Sequence, residues 1–207
     1  ATSWSAVEEL LPHHTGDSKN DSEGWMVSTT HHDNDGITDI VLTSLADEAS
    51  NGPNNTGTMR IYLGVQDSLP SQNIALELTG TLANDRFGFT SSALGDLNAD
   101  GNMDYLSFSQ FHDEMGYDVG LPFFVSGTAN PTYTALEFPT EAAGQLFGKA
   151  TSFVKSPSND GSWLVAVGAS FQDEPSGYNR GALYLYNVDA TGAPSTTTTQ
   201  ILNQYPR

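Results

Sequence analysis

The sequence predicts an all-β protein built from about three propeller-like blades, and three observations carry that expectation. Asp-Gly pairs recur at Asp35-Gly36, Asp100-Gly101 and Asp160-Gly161, roughly 60 residues apart. Each pair is followed by a short apolar run: Ile40-Val41-Leu42, Tyr105 to Phe108, and Trp163 to Val167. A long polar loop and a second run then follow, Met59 to Val65, Leu121 to Val125 and Ala182 to Val188. No window carries a sustained, capped helical stripe, and Val7 to Leu11 is too short to count as one. Repetition at a fixed period decides the architecture before any single element does. Three or four short strands per module with Gly-rich turns suit a propeller blade better than a sandwich.

Taken in order, residues 1–65 form a first module with an N-terminal strand at Trp4 to Leu11. Residues 66–127 form a second, opened by Ile74 to Leu78, and residues 128–190 a third, opened by Tyr133 to Phe138. Their strands mix β-branched, aromatic and alternating residues between Gly, Asn, Asp and Pro. Ser195 to Tyr205, within 191–207, reads as a Thr-rich tail or as the opening strand of a further module. Propellers close with about 4–8 blades, so three modules form an incomplete ring or one completed by other chains.

Composition narrows the partners. The 207 residues carry 7 Lys plus Arg against 25 Asp plus Glu, a net charge of −18. Such a chain repels phosphates and anionic membranes, so neither nucleic acid nor membrane insertion is expected. No apolar stretch approaches the roughly 20 residues of a membrane span. The sequence shows no Lys/Arg-led apolar leader at Ala1, so a secretion signal is expected to be absent or already removed. The absence of Cys excludes thiol catalysis, Cys-ligated zinc and disulfides. Divalent cations are the natural partner.

The strongest motif is Asp96-Leu97-Asn98-Ala99-Asp100-Gly101-Asn102-Met103-Asp104. Side-chain oxygens at loop positions one, three, five and nine, with Gly at six for the turn, suit a hard cation that takes about 6–8 oxygens. Asp96, Asn98, Asp100 and Asp104 are the expected side-chain ligands, and Asn102 offers its backbone carbonyl. The competing reading is an Asx-rich turn without metal. In the first module His31, Asp33, Asp35, Ile37 and Asp39 hold the same places. There His31 replaces the first carboxylate, which weakens calcium binding or shifts the preference toward a transition metal. The third loop, Ser156 to Leu164, keeps Asp160-Gly161 but has Leu164 at position nine, so it is expected to keep the turn and lose the ion.

Phe87-Gly88, the Asp96 to Asp104 loop and the strand after it resemble the FG-GAP repeat of integrin α-subunit propellers and their bacterial relatives. Phe147-Gly148, Val167-Gly168-Ala169-Ser170 and Gly181 to Tyr186 extend the resemblance, which covers about residues 20 to 190. The first module has Gly24-Trp25 near the place of the Phe-Gly pair. The resemblance implies a calcium-stabilised β-propeller, usually seven-bladed, with an extracellular role in adhesion or ligand binding.

Catalytic signals are thin. His13-His14 and His31-His32 are adjacent pairs that cannot both face one metal from a strand, and no Gly-x-Ser-x-Gly elbow is present. The loops Ala46 to Gly57, Phe111 to Gly120 and Phe171 to Arg180 occupy equivalent places. Two of them combine aromatic and acidic residues, Phe111, Asp113, Glu114 and Tyr117, and Phe171, Asp173, Glu174 and Tyr178. Those residues are candidates for contact with a protein or glycan ligand. Sequons stand at Asn20 and Asn54. The leading expectation is a non-enzymatic, calcium-stabilised, secreted binding or adhesion module. One alternative is a structural subunit that assembles with other copies of itself through open β edges into an oligomer or filament. A second is an accessory propeller of a secreted carbohydrate-active enzyme.

Overall fold

The computed structural model describes residues 20–47, 53–68, 70–109, 111, 120–128, 131–136, 147–156, 160–170, 181–189 and 193–202. These residues form twelve strands and no helix, and so no helix long and apolar enough to cross a membrane. The strands make three separate antiparallel sheets of four. The first contains β1 (Glu23–Thr30), β2 (Asp39–Ser44), β3 (Thr58–Tyr62) and β4 (Ile74–Thr79). The second contains β5 (Thr90–Gly95), β6 (Asp104–Ser109), β7 (Leu121–Val125) and β8 (Tyr133–Ala135). The third contains β9 (Phe147–Lys155), β10 (Trp163–Ala169), β11 (Ala182–Val188) and β12 (Pro194–Leu202). In each sheet the strands lie in chain order, a simple meander.

The all-β class is therefore observed, with a different phase from the module limits. The limits at 65/66 and 127/128 cut the first two sheets before their last strands. Ile74–Thr79 pairs with β3 and Tyr133–Ala135 with β7, so both close a sheet where the sequence expected them to open a module. The Thr-rich segment 194–202 pairs with β11 as the fourth strand of the third sheet. Alternation identifies a strand without naming its partner, and loops of similar length flank β4 on both sides. Trp4 to Leu11 lies outside the described residues.

Glycines with left-handed backbone mark the true phase. They begin the first strand at Gly24, Gly88 and Gly148 (φ 83°, 86°, 93°) and turn the first hairpin at Gly36, Gly101 and Gly161 (86°, 92°, 84°). Such angles cost a residue with a Cβ free energy, whereas glycine adopts them readily. Gly24 thus holds the place of the Phe-Gly glycine, with Glu23 where the second sheet has Phe87.

The sheets pack face to face in series. Val41, Met59, Ile61, Leu76 and Leu78 of the first meet Phe87, Tyr105, Leu121, Phe123 and Val125. The other face of the second sheet, with Leu94, Leu106 and Phe124, meets Val165, Val167, Tyr184 and Tyr186 of the third. With both faces covered, every residue of β6 and β7 is buried. The first strands adjoin: Trp25 Nε1 donates to Phe89 O at 3.2 Å, and Ser92 and Thr151 hydroxyls lie 3.3 Å apart.

Charge organises the outward face of the first sheet. Arg60 of β3 reaches Glu23 of β1 at 3.1 Å, Glu77 of β4 at 2.6 Å, and Asp47 just beyond β2. Burial opposes the guanidinium charge, but hydrogen bonds and attraction from Glu77 and Asp47 outweigh it and raise its pKa above the ordinary value. One cation thereby ties β1, β3 and β4 to one another and to the loop after β2. Arg60→Met is expected to cost about 3 kcal/mol, because it leaves the carboxylates without their cation. Glu77→Gln, at the partner that is 45% exposed, should cost below about 1 kcal/mol. Urea denaturation measures both, and equal losses would show that Arg60 is not the clamp.

Candidate metal loops and partner surface

The Asp-Gly loop joins the first and second strands of every sheet, so all three occupy one hairpin position. In the second sheet, the Asp96 carboxylate accepts from Asp100 N and Gly101 N, both at 3.0 Å. Asn98 Oδ1 accepts from Asp100 N at 3.0 Å and Asp100 Oδ1 from Asn102 N at 2.8 Å. These side chains turn inward over Gly101. The first loop repeats part of the set: Asp35 N donates to Asp33 Oδ1 at 3.2 Å and Ile37 N to Asp35 Oδ1 at 2.7 Å. In the third, among the described residues, Ser162 N donates to Asp160 Oδ1 at 2.9 Å.

Position nine plays a different part. Asp104 is fully buried, and its oxygens accept from Leu97 N at 2.9 Å and Gly127 N at 3.2 Å. Asp39 does the same with His32 N and with Gly64 N, the latter at 2.8 Å. Each aspartate brackets its own loop to the end of the third strand, a role that the nine-residue pattern did not disclose. The signal lay in Gly64 and Gly127. A Cβ at Gly127 would stand 1.8 Å from Met103 O, so the backbones meet there without room for a side chain.

Among the described residues, no three His, Asp or Glu side chains form a metal-holding cluster. A cation in the Asp96–Asp104 loop would therefore draw on Asn98 and on the Asn102 carbonyl as well as on carboxylates. The donor set fits a hard cation: all its atoms are oxygens, and carboxylate oxygens that accept one amide retain a lone pair. Burial raises the Asp104 pKa, its two amide bonds oppose that, and the charges of Asp100 and Asp96 raise it further. Burial also pushes Asp100 up, but hydrogen bonds from Asn102 and Asn98 prevail and hold it below the ordinary carboxylate range.

The first two loops touch. Asn34 Nδ2 donates to Gly101 O at 3.0 Å and Met103 N to His32 O at 3.3 Å. His31, Asp33 and Asp35 are exposed and Ile37 is half-buried, while His32, which the pattern passed over, is buried. His32 Nδ1 lies 3.0 Å from the Tyr105 hydroxyl, which also lies 3.4 Å from Thr30 Oγ1. Of the expected partner residues, Phe111 is half-buried under the Arg86 guanidinium, 4.7 Å above its ring. Asp113, Glu114, Tyr117, Phe171, Asp173, Glu174 and Tyr178 lie outside the described residues.

Two outcomes follow from these contacts. Burial lowers the His32 pKa, while Asp39 and Asp33 pull it up less strongly. With the folded pKa below the unfolded one, stability is lost as pH falls through about 6.5. His32→Gln should flatten that part of the pH–stability curve measured in chelator; an unchanged slope would place the titration elsewhere. Asp104→Ala orphans two buried amides and should cost about 3 kcal/mol by thermal or urea unfolding. A loss under about 1 kcal/mol would show that the bracket does not hold the hairpin.

Neither any protein-family model nor any curated protein matches this chain.

Proposed function

We propose that the chain is a calcium-stabilised, non-catalytic extracellular binding or adhesion module built from FG-GAP-type propeller blades. One observation carries the reading. Three successive four-stranded meanders place an Asp-Gly loop at the same hairpin, and in the second loop Asp96, Asn98 and Asp100 all turn their oxygens inward. Calcium there would be held by those three groups, the Asn102 carbonyl and a remaining lone pair of Asp104. In the first loop Asp33, Asp35, Asp39 and the Ile37 carbonyl would serve, with His31 a poor substitute for the missing carboxylate. Extracellular calcium is abundant enough to keep weak sites of this kind filled, at dissociation constants of about 10⁻⁴–10⁻³ M. The ligand in this reading is a protein or a glycan.

A second reading has its own support. The outward face of the third sheet carries Val154, 59% exposed, and Leu183, 38% exposed, with Leu164, Ala166 and Leu185 in register beside them. An exposed aliphatic face favours stacking between copies of the chain.

Millimolar calcium is expected to raise the melting temperature relative to chelator. Asp96→Asn with Asp100→Asn should abolish most of that rise, and Asp35→Asn a smaller part. A melting curve indifferent to calcium would overturn the calcium reading. Light scattering in the same two buffers decides the assembly reading, which requires a mass above one chain.

A further inference from the structure

A cleft of about 210 Å³ opens where the connection leaving the first sheet crosses the outer strands of the second. Leu82, Asp85 and Phe87 line it from the connection, and Ser109, Phe123 and Tyr133 from β6, β7 and β8. Ser109 ends β6, the strand that Asp104 begins, while Tyr133 lies in register with Val125 and Tyr105 nearer the Asp96–Asp104 loop.

Both walls are set before any ligand arrives. Gly80 N donates to Gly57 O and Asn84 N to Asn54 O, each at 2.9 Å, and Phe87 N donates to Thr56 O at 2.8 Å. These bonds strap the connection to the β2–β3 loop so closely that a Cβ at Gly57 would stand 2.2 Å from Phe87 O. The opposite wall is the β6–β7–β8 ladder. A concavity held by two independent sets of backbone bonds spares a ligand the cost of ordering it.

The lining is of two kinds. Phe123 and Tyr133 meet edge to face with centroids 5.3 Å apart, and Phe87 packs beside them at 5.7 and 5.6 Å. Tyr133 is the half-buried member of the three and lines the cleft. Asp85 and Ser109, residues that are 6% and 1% exposed, line the cleft beside these rings. A ligand would therefore meet ring carbon beside a strong acceptor and a hydroxyl that both donates and accepts.

We infer that this cleft binds one neutral sugar ring, its C–H face against Tyr133 and its hydroxyls bonded to Asp85 and Ser109. Anions are disfavoured by Asp85 and by the net charge of −18. An ammonium ligand needs rings that surround it, and these three pack against one another instead. Pockets for drug-sized ligands run to about 300–1,000 Å³, so the smaller volume fits a single ring. The inference rests on reading the chain as a binding module and requires no calcium.

The test is a titration of the whole chain, followed by NMR shifts and saturation transfer. The probes are the methyl glycosides of glucose, galactose, mannose and N-acetylglucosamine, with tetramethylammonium as a cationic comparison. At least one glycoside should saturate with a dissociation constant on the order of 1 mM. Tyr133→Ala and the near-isosteric Asp85→Asn should each weaken it about tenfold, while Thr134→Ala on the same strand leaves it unchanged. Melting temperatures confirm that each variant is folded. Saturation that both variants preserve would place the sugar elsewhere, overturning the cleft but not the binding module. Saturation by tetramethylammonium alone, or by none of the probes, overturns the sugar assignment. The calcium melts on the same samples judge the metal reading separately.

Discussion

The structure depends on a carboxylate placed where a charge ought to be costly. Asp39 and Asp104 are almost wholly removed from water, and each is retained by two backbone amides drawn from different connections. A buried carboxylate is tolerable only when its oxygens are hydrogen-bonded. The aspartate therefore dictates two distances together, the reach of its own hairpin and the exit of the third strand. With these fixed, the register between the second and third strands follows, and with it the choice of side chains facing the neighbouring sheet. The third repeat shows the limit of the device. Leu164 takes the aspartate's place there, and the Asp160–Ser162 bond preserves the turn.

Arg60 solves the converse problem. A chain with so few cations places one of its seven among three carboxylates, where it links β1, β3 and β4 across the face of one sheet. Among the described residues, Asp33, Asp35, Asp67 and Asp100 lie exposed in loops, where water screens them. The described strands are held chiefly by apolar alternation and small hydroxyl residues.

Much of this architecture was legible in the residues. Period-two alternation marked the strands, and Asp-Gly spacing located the hairpins, because both follow from the local chain alone. Strand partnership was not legible, since Ile74–Thr79 and Tyr133–Ala135 carry the same pattern whether they end one sheet or begin another. The nine-residue oxygen pattern disclosed which side chains gather at the turn, but not that Asp104 looks into the sheet. That role is set by Gly127, 23 residues farther along. The cleft was equally hidden. Phe87 read as part of a Phe-Gly mark, and Asp85, Ser109 and Tyr133 become neighbours only after the first sheet's connection crosses the second.

The two apolar clusters share no residue, and the second sheet alone contributes to both. Among the described residues the three sheets thus form a short one-dimensional series, the central sheet packed against both others. In such arrays free energy accumulates as a sum of unit and interface terms. Disruption is then graded, starting at an end sheet with one interface and reaching the doubly covered centre last. The same arithmetic makes lengthening by duplication permissible, because a new unit adds an interface without altering those already formed.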